Sequence, residues 1–286
     1  YCHMVPVAPR CGFCGNERGA QNDVPLRGSA SDIVFTSMAM LRRPTFLERM
    51  LEASESNDAS SMATMPPLPS REFIKLQQAA EHGTGGLCWP SASVMCRWLR
   101  EHAAELDGLR VLELGCGTGA CGLYAAGLGA SHVLLTDGSE EVIEHAQKNL
   151  TLNREVLGAV DVSFARLSFG TVIPLPAGPW DLILASDCIY GYGSDWQPLA
   201  KTIRALIDAQ AAADDDRPPP RVILACPHRQ PGPLLSDKFV ADARAHGLGV
   251  TALRCEQAPK HDGGSHAPGE AIAVSVLEVR LETAPR

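Results

Sequence analysis

Apolar and polar stretches alternate between residues 109 and 226, and this pattern predicts strands that alternate with helices. Strands are predicted at 110–114, 132–136, 160–164, 181–186 and 221–226, and helices at 119–128, 139–152 and 195–210. Such alternation is typical of a parallel sheet with helices on both faces. Two later apolar runs, 249–255 and 271–281, predict an antiparallel hairpin. The pattern therefore predicts an α/β fold with a mostly parallel seven-stranded sheet that ends in this hairpin.

Helix starts are indicated by polar residues ahead of periodic apolar positions. Ser139 precedes Glu140 and Glu141, whose carboxylates favour the positive end of a helix dipole. Ser91 is predicted to cap a second helix, whose inward positions recur at helical spacing over 94–102. Both helices would pack on the predicted sheet.

The first 69 residues lack sustained periodicity and are rich in Ser, Pro and Gly. We expect residues 1–69 to form a mostly disordered N-terminal extension, with one short helix near Phe46–Leu51. Residues 70–286 are predicted to form the folded domain. Two loops interrupt it, one at 214–220 and one at Lys260–Gly269.

Composition narrows the class of partner. The chain has 286 residues, 45% of them hydrophobic, which is enough for one large domain with its own core. A net charge of -8 argues against nucleic acid as the main partner, because phosphate binding needs a basic face, and it suits a Lys-rich protein surface. No apolar run is long enough to span a bilayer, so we expect no membrane association.

The ten cysteines are scattered and do not form a disulfide framework. Several occupy apolar positions, which indicates a reducing compartment. We therefore expect a cytoplasmic location, with the nucleus as the alternative. Separately, we expect the protein to be a monomer. Cys11 and Cys14 form a lone C-x-x-C without a second ligand pair, so no metal site is predicted.

The segment Val111–Gly119 carries the main chemical signal. An apolar strand ends on Glu113, and glycine then follows at positions 115, 117 and 119, where the backbone can turn sharply and approach a ligand. A dinucleotide would fit such a loop through its pyrophosphate. Glu113 favours S-adenosylmethionine instead, because an acidic side chain can accommodate its cationic sulfonium and amino groups. Alternatively, Glu113 caps a backbone turn.

Asp137 ends the second predicted strand, where its carboxylate could accept both hydroxyls of a ribose. A dehydrogenase places an acid similarly, so Asp137 does not discriminate between the two cofactors. Alternatively, Asp137 is the N-cap of the next helix.

Three further segments make a resemblance specific. Gly86–Ala92 matches a G-x-x-W-x-A/S pattern, Leu167–Gly170 stands where an L-D-W-G loop is usual, and Asp181–Tyr190 ends in D-x-x-Y. Together with Val111–Gly119 and Asp137, they resemble the seven-β-strand methyltransferases, and within these the lysine methyltransferase branch called methyltransferase family 16. The resemblance covers roughly residues 71–281.

The resemblance implies a Rossmann-like sheet, S-adenosylmethionine as cofactor and a protein substrate that carries the target lysine. It also implies residue roles. Trp89 and the Gly115, Cys116 and Gly117 loop would line the cofactor, Asp137 would hold the ribose, Phe169 would lie against the adenine and Ser186 would offer a backbone contact. Ser168 and Phe169 replace the usual Asp and Trp, so one polar contact is lost while stacking is kept with less area. Trp89 and Phe169 could also be plain core aromatics.

Asp187 and Tyr190 are the predicted catalytic residues. Asp187 follows the fourth strand, so it should face the same cleft as the glycine loop. It could attract an incoming ammonium and orient the amine, while Tyr190 could wall the lysine channel. A helix-capping Asp with a half-buried Tyr is the alternative. Methylation of a histidine, arginine or small amine, an NAD-dependent oxidoreductase and a non-catalytic binding protein remain as rival functions.

Overall fold

The computed structural model describes residues 34–35, 62–64, 68, 73–170, 178–189, 197–213, 217–228, 235–259 and 271–282. A small antiparallel sheet joins β1 (Val34–Phe35), β2 (Met62–Thr64) and β3 (Lys75–Gln77). Strands β1 and β2 belong to the predicted extension. The short helix expected near Phe46–Leu51 lies outside the described residues, and disorder of the extension stays a prediction.

The large sheet has seven strands within the described ranges. They are β4 (Arg110–Leu114), β5 (His132–Asp137), β6 (Asp161–Arg166), β7 (Leu182–Ser186), β8 (Arg221–Pro227), β9 (Leu248–Pro259) and β10 (Ala271–Leu281). Their order is β6-β5-β4-β7-β8-β10-β9. The first five in this order pair in parallel, and β10 is antiparallel to both β8 and β9. The predicted α/β fold with its C-terminal hairpin is confirmed.

Helices cover both faces of this sheet. They are a 3-10 helix (Ala80–Gly86), α1 (Pro90–Glu101), α2 (Ala103–Leu106), α3 (Ala120–Gly127), α4 (Glu140–Leu152), α5 (Arg154–Leu157), α6 (Gln197–Ala212) and α7 (Leu235–Ala245). Buried side chains of α1, α3 and α4 form one core with one face of the sheet, and those of α6 and α7 form a second core with the other. The central strands are buried on both faces, which explains their nearly continuous apolar sequences.

Two helix starts test the capping predictions. Ser139 is the N-cap of α4, and its hydroxyl accepts a hydrogen bond from the Val142 N–H, as expected. The prediction for Ser91 is wrong, because α1 begins at Pro90 with Trp89 as its N-cap. Proline suits this first helical position, since it has no N–H to leave unpaired. The earlier start frees the Ser91 hydroxyl for another partner.

Chain order reverses between β4 and β7. From β4 the chain continues through β5 to β6 on one side, and it returns to β7 and then β8 on the other. Ligands in open α/β sheets bind at such a switch point, beyond the carboxyl ends of the strands. The fold therefore places the candidate site where β4 and β7 end.

Candidate cofactor and acceptor site

A cavity of about 510 Å³ lies beyond the carboxyl ends of β4, β5 and β7. This volume is within the range of sites that bind small molecules and cofactors. The predicted site residues that line it are Trp89, Glu113, Gly115, Cys116, Gly117, Asp137, Phe169, Ser186 and Asp187. Tyr190 lies outside the described residues. The structure thus brings together the predicted site residues that it describes, although their roles stay predictions.

The glycine loop uses backbone conformations that side chains disfavour. Gly115, Gly117 and Gly119 have φ angles of 63°, 53° and 82°. A Cβ on Gly115 would lie 2.8 Å from Cys188 Sγ, and one on Gly117 would lie 3.2 Å from the carbonyl oxygen of Gly85. Two neighbouring segments therefore approach Gly115 and Gly117 so closely that a side chain at either position would be crowded.

Glu113 is buried near the end of β4, two residues before Gly115, with an exposed fraction of 2%. Its Oε2 accepts a hydrogen bond of 2.8 Å from the N–H of Gly122 in α3. Burial raises the pKa of Glu113 to about 8, although the Gly122 hydrogen bond acts in the opposite direction. Through this oxygen Glu113 caps a backbone N–H, as the alternative interpretation of this residue predicted. The same carboxyl group lines the cavity, where a ligand cation would favour its ionised form.

Asp137 is held at the end of β5 by two backbone donors. Its Oδ2 accepts the Gly117 N–H at 3.2 Å, and its Oδ1 accepts the Ser139 N–H at 3.1 Å. Ser139, rather than Asp137, is the N-cap of α4, so the capping alternative for Asp137 is wrong. Each carboxylate oxygen can accept more than one hydrogen bond. The carboxylate is therefore fixed in direction and can still receive the hydroxyls of a ribose.

Two aromatic side chains lie on the cavity wall. Trp89 donates its Nε1–H to the carbonyl oxygen of Thr84 at 2.9 Å, which ties the end of the 3-10 helix to the start of α1. Phe169 lies against the glycine loop, with its Cζ 3.4 Å from the position that a Cβ on Gly115 would take. Both are only partly buried, so each presents ring surface to a ligand.

Asp187 follows β7 directly, and Ser186 is the last residue of that strand. Asp187 has a φ of 59°. Among the described residues, it is the one with a positive φ that is not a glycine. Its N–H donates to the Ala225 carbonyl oxygen at 2.9 Å, and its Oδ2 accepts the hydroxyl of Ser91 at 3.3 Å. The carboxylate is largely buried, with an exposed fraction of 8%, yet it lines the cavity.

Sequence reasoning missed several lining residues. The 3-10 helix contributes His82, Thr84 and Gly85 to the cavity wall. Four cysteines also line the wall, namely Cys88, Cys116, Cys121 and Cys188. Of these four, only Cys116 was predicted. Burial raises the pKa of the Cys88 thiol, so it stays protonated and unreactive at neutral pH. These thiols act as small apolar surface, which only their apolar positions in the sequence could have indicated.

Neither a membrane helix nor a metal cluster is present in the part of the chain that the structure describes. No helix there is both long and apolar enough to cross a membrane. Likewise, no group of three or more His, Cys, Asp or Glu side chains in these ranges could hold a metal ion.

The cavity fits a cofactor that combines a cationic end, a ribose and an aromatic base. Glu113 offers a carboxyl group that gains charge beside a cation, Asp137 offers fixed acceptors and Phe169 offers a ring face. Gly115 and Gly117 line the cavity with backbone alone, so a ligand can approach the main chain there. This set of groups matches the chemistry of S-adenosylmethionine.

Comparison with known proteins supports this assignment. A calmodulin-lysine N-methyltransferase of Arabidopsis thaliana is 32% identical over 134 residues, which are 46% of this chain and 44% of the relative. The protein N-lysine methyltransferase METTL21A of Danio rerio is 38% identical over 109 residues, covering 38% of this chain and 49% of the relative. The histone-arginine methyltransferase METTL23 of Xenopus laevis is 33% identical over 134 residues, covering 46% and 55%.

The chain spans about half the length of the curated relatives that it matches. The family model described as lysine methyltransferase matches residues 69–229, which is more than half of the chain and includes the glycine loop and Asp187. The resemblance found in the sequence is thereby confirmed, and the chain belongs to the lysine methyltransferase family.

Proposed function

We propose that this protein transfers a methyl group from S-adenosylmethionine to a lysine side chain of a protein substrate. One observation carries the proposal. The Asp187 carboxylate lines the same cavity as the Gly115–Gly117 loop and Glu113, so groups suited to a methyl donor and to an amine acceptor meet in one space.

S-adenosylmethionine supplies, when bound, a methyl carbon that is already activated by a positively charged sulfur. The protein therefore needs mainly to align an amine and to exclude water. Lysine has a pKa of about 10.4, so its ammonium must lose a proton to water before the amine bonds to the methyl carbon, and the carbon–sulfur bond breaks to leave S-adenosylhomocysteine. Asp187 attracts this ammonium and orients it, and its backbone is held by Ala225, so little motion is needed on arrival. Tyr190 is proposed to wall the lysine channel and to hydrogen-bond through its hydroxyl.

The remaining lining residues are proposed to hold the cofactor. Glu113 faces its cationic end, Asp137 binds the ribose hydroxyls and Phe169 packs on the adenine. Trp89 and Cys116 add wall surface, with Gly115 and Gly117 providing close backbone contact and Ser186 a backbone contact. These roles are supported by the shared cavity and by the fixed carboxylate of Asp137.

A protein acceptor is supported by the relatives, two of which are named as lysine methyltransferases of proteins. The net charge of -8 suits a basic segment around the target lysine. A relative of similar identity is named a histone-arginine methyltransferase, so arginine is the alternative acceptor. We further propose that the protein acts as a monomer.

A cytoplasmic location is proposed on the state of the cysteines. In the described ranges they are free and, apart from Cys255, buried, which suits a reducing compartment. Fractionation of cells with an antibody to this protein tests the location, and enrichment in a secretory fraction would contradict it.

Three measurements test the function. Calorimetry should show binding of S-adenosylhomocysteine, and tritiated S-adenosylmethionine should label a protein band in a cell extract. Asp187→Ala should abolish the labelling, whereas Asp208→Ala, at an exposed position paired with Arg204, should leave it unchanged. Mass spectrometry of the band should find methyl-lysine. Absence of cofactor binding would overturn the proposal, methyl-arginine would favour the alternative acceptor, and equal labelling by Asp187→Ala would remove Asp187 from the mechanism.

A further inference from the structure

Ser91 makes a contact that its place in the sequence does not explain. It is the second residue of α1, fully buried, and its hydroxyl donates to Asp187 Oδ2 at 3.3 Å. The contact joins positions 96 residues apart in the chain. It links α1 on one side of the sheet to the turn that ends β7.

The backbone of Asp187 is already held in place, so the contact with Ser91 affects only the orientation of the carboxylate. The left-handed φ of Asp187 and its N–H bond to Ala225 set where the Cα–Cβ bond starts. Rotation about that bond still decides where the two oxygens point. A hydroxyl that donates to Oδ2 favours one rotamer and leaves Oδ1 to face other groups. At 3.3 Å this bond is longer than the usual hydroxyl hydrogen bond, so the preference that it gives one rotamer is modest.

Ser91 does not touch the cofactor space itself. The described residues that line the cavity include its neighbours Trp89 and Ala92, but Ser91 is not among them. Any effect of its hydroxyl on the reaction must therefore pass through Asp187. The sequence pattern around Trp89 accepts either Ala or Ser at this position, so the hydroxyl is a feature of this chain rather than a requirement of the pattern.

We propose that Ser91 is a positioning residue for methyl transfer, whose hydroxyl holds the Asp187 carboxylate in the orientation that receives the acceptor amine. The inference rests on the proposed function, because it assigns Ser91 a role only where Asp187 acts on an acceptor.

Ser93 provides a matched control for this role. It is also a fully buried serine of α1, but its hydroxyl donates to the backbone carbonyl of Pro90 at 2.8 Å. Ser91→Ala and Ser93→Ala thus remove the same atoms from the same helix at the same burial. Only the first removes a bond to Asp187.

The test measures initial rates of tritiated methyl transfer into cell-extract protein, at saturating S-adenosylmethionine, for the whole chain. We expect Ser91→Ala to lower the rate about tenfold and Ser93→Ala to change it less than twofold. The dissociation constant of S-adenosylhomocysteine should stay within twofold in both variants, and their melting temperatures should be similar. Ser91→Thr, which keeps the hydroxyl, should restore most of the rate.

Several outcomes would overturn the inference. The first is an equal rate for the two alanine variants. The second is a cofactor affinity that falls in parallel with the rate of Ser91→Ala. The third is a Ser91→Thr variant that melts like wild type yet is as slow as Ser91→Ala. If the wild-type chain binds S-adenosylhomocysteine but labels no protein, the proposed function fails and the role of Ser91 fails with it. An active wild type with an unaffected Ser91→Ala variant overturns the role of Ser91 alone.

Discussion

The turns that follow β4 and β7 lie side by side, and both contain a residue with a positive φ, but the residue type differs. Each leaves its strand through the left-handed region, with a φ of 63° at Gly115 and 59° at Asp187. Glycine adopts this conformation freely, whereas a residue with a Cβ loses about 1–2 kcal/mol. The turn after β7 therefore keeps a side chain where glycine would be easier to accommodate.

The difference shows what each turn is for. At Gly115 a side chain has to be absent, since a Cβ would lie 2.8 Å from Cys188 Sγ. At Asp187 a side chain is kept, and the contacts to Ala225 and Ser91 hold the residue in place. Strain that persists beside a cavity is a marker of function. The first turn lets Cys188 approach the backbone closely, and the second carries the carboxylate that we propose receives the acceptor amine.

The largest effect is expected from removing the carboxylate. Asp187→Gly should lower methyl transfer at least about hundredfold, because orientation of the amine is lost. Its free energy of unfolding should change by less than about 1 kcal/mol, because relief of the left-handed strain offsets the lost Ser91 bond and the added chain entropy. Rates of tritium transfer and denaturant unfolding measure the two quantities.

Asp187→Ala separates strain from chemistry. It removes the same carboxylate but keeps the Cβ, so it should be equally inactive and less stable than Asp187→Gly by about 1 kcal/mol. If the glycine variant is active, or less stable than the alanine variant, then Asp187 is not retained against strain for catalysis.

The next effect concerns the first turn. Gly115→Ala should lower both stability, by about 2–3 kcal/mol, and the affinity for S-adenosylhomocysteine, because strain and a close contact with Cys188 add together. Gly158 has the same φ of 63° and has no atom within 4 Å of the position of its Cβ. Gly158→Ala should therefore lose only about 1 kcal/mol and bind the cofactor normally. Equal losses in the two variants would show that strain alone explains the glycine at 115.

The charge of Glu113 should make cofactor affinity depend on pH. Since burial raises its pKa to about 8, the free protein holds this proton at neutral pH, and a bound cation should expel it. Affinity for S-adenosylmethionine should therefore rise about tenfold from pH 6.0 to 7.5, as the proton becomes easier to remove. Calorimetry across this range should also detect proton release.

Glu113→Gln is the matched variant, because its amide oxygen can still accept the Gly122 N–H. It should bind with an affinity that is nearly flat over the same pH range. A flat profile in the wild type, or an unchanged slope in the variant, would mean that Glu113 does not ionise on binding. The stability of the free protein should change with pH in the opposite direction to the cofactor affinity. The unfolded chain releases this proton above about pH 4.5 and the folded one near 8, so this group lowers stability as pH rises between them.

Much of this contrast could be predicted from sequence, because it depends on local patterns. The apolar runs that became β4 and β7 are buried on both faces, and glycines at 115, 117 and 119 identified the first turn. Membership of the lysine methyltransferase family confirms the fold and the methyl donor that these patterns predicted. Each of these patterns is formed by residues that are close together in the sequence.

The parts that could not be predicted depend on contacts between distant segments. Ser91 resembles an N-cap in sequence, and only the packing of α1 beside β7 shows that its hydroxyl meets Asp187. Helix α7 was not predicted either, because charged residues interrupt its apolar positions, of which Phe239 and Ala243 are buried. The left-handed φ of Asp187 is likewise set by its surroundings rather than by its neighbours in sequence.

The smallest effect is expected at the aromatic wall beside the first turn. Phe169→Leu keeps an apolar side chain against Gly115 but removes the ring, so the affinity for S-adenosylhomocysteine should fall about fivefold. Phe169→Trp, which restores the residue usual in the resembling loop, should bind about twofold more tightly because its ring offers more area. Neither variant should alter the rate of transfer at saturating cofactor, since Phe169 is proposed to pack on the adenine and not on the acceptor. A loss of rate without a loss of affinity would instead place Phe169 on the acceptor side, and the division between the two turns would have to be redrawn.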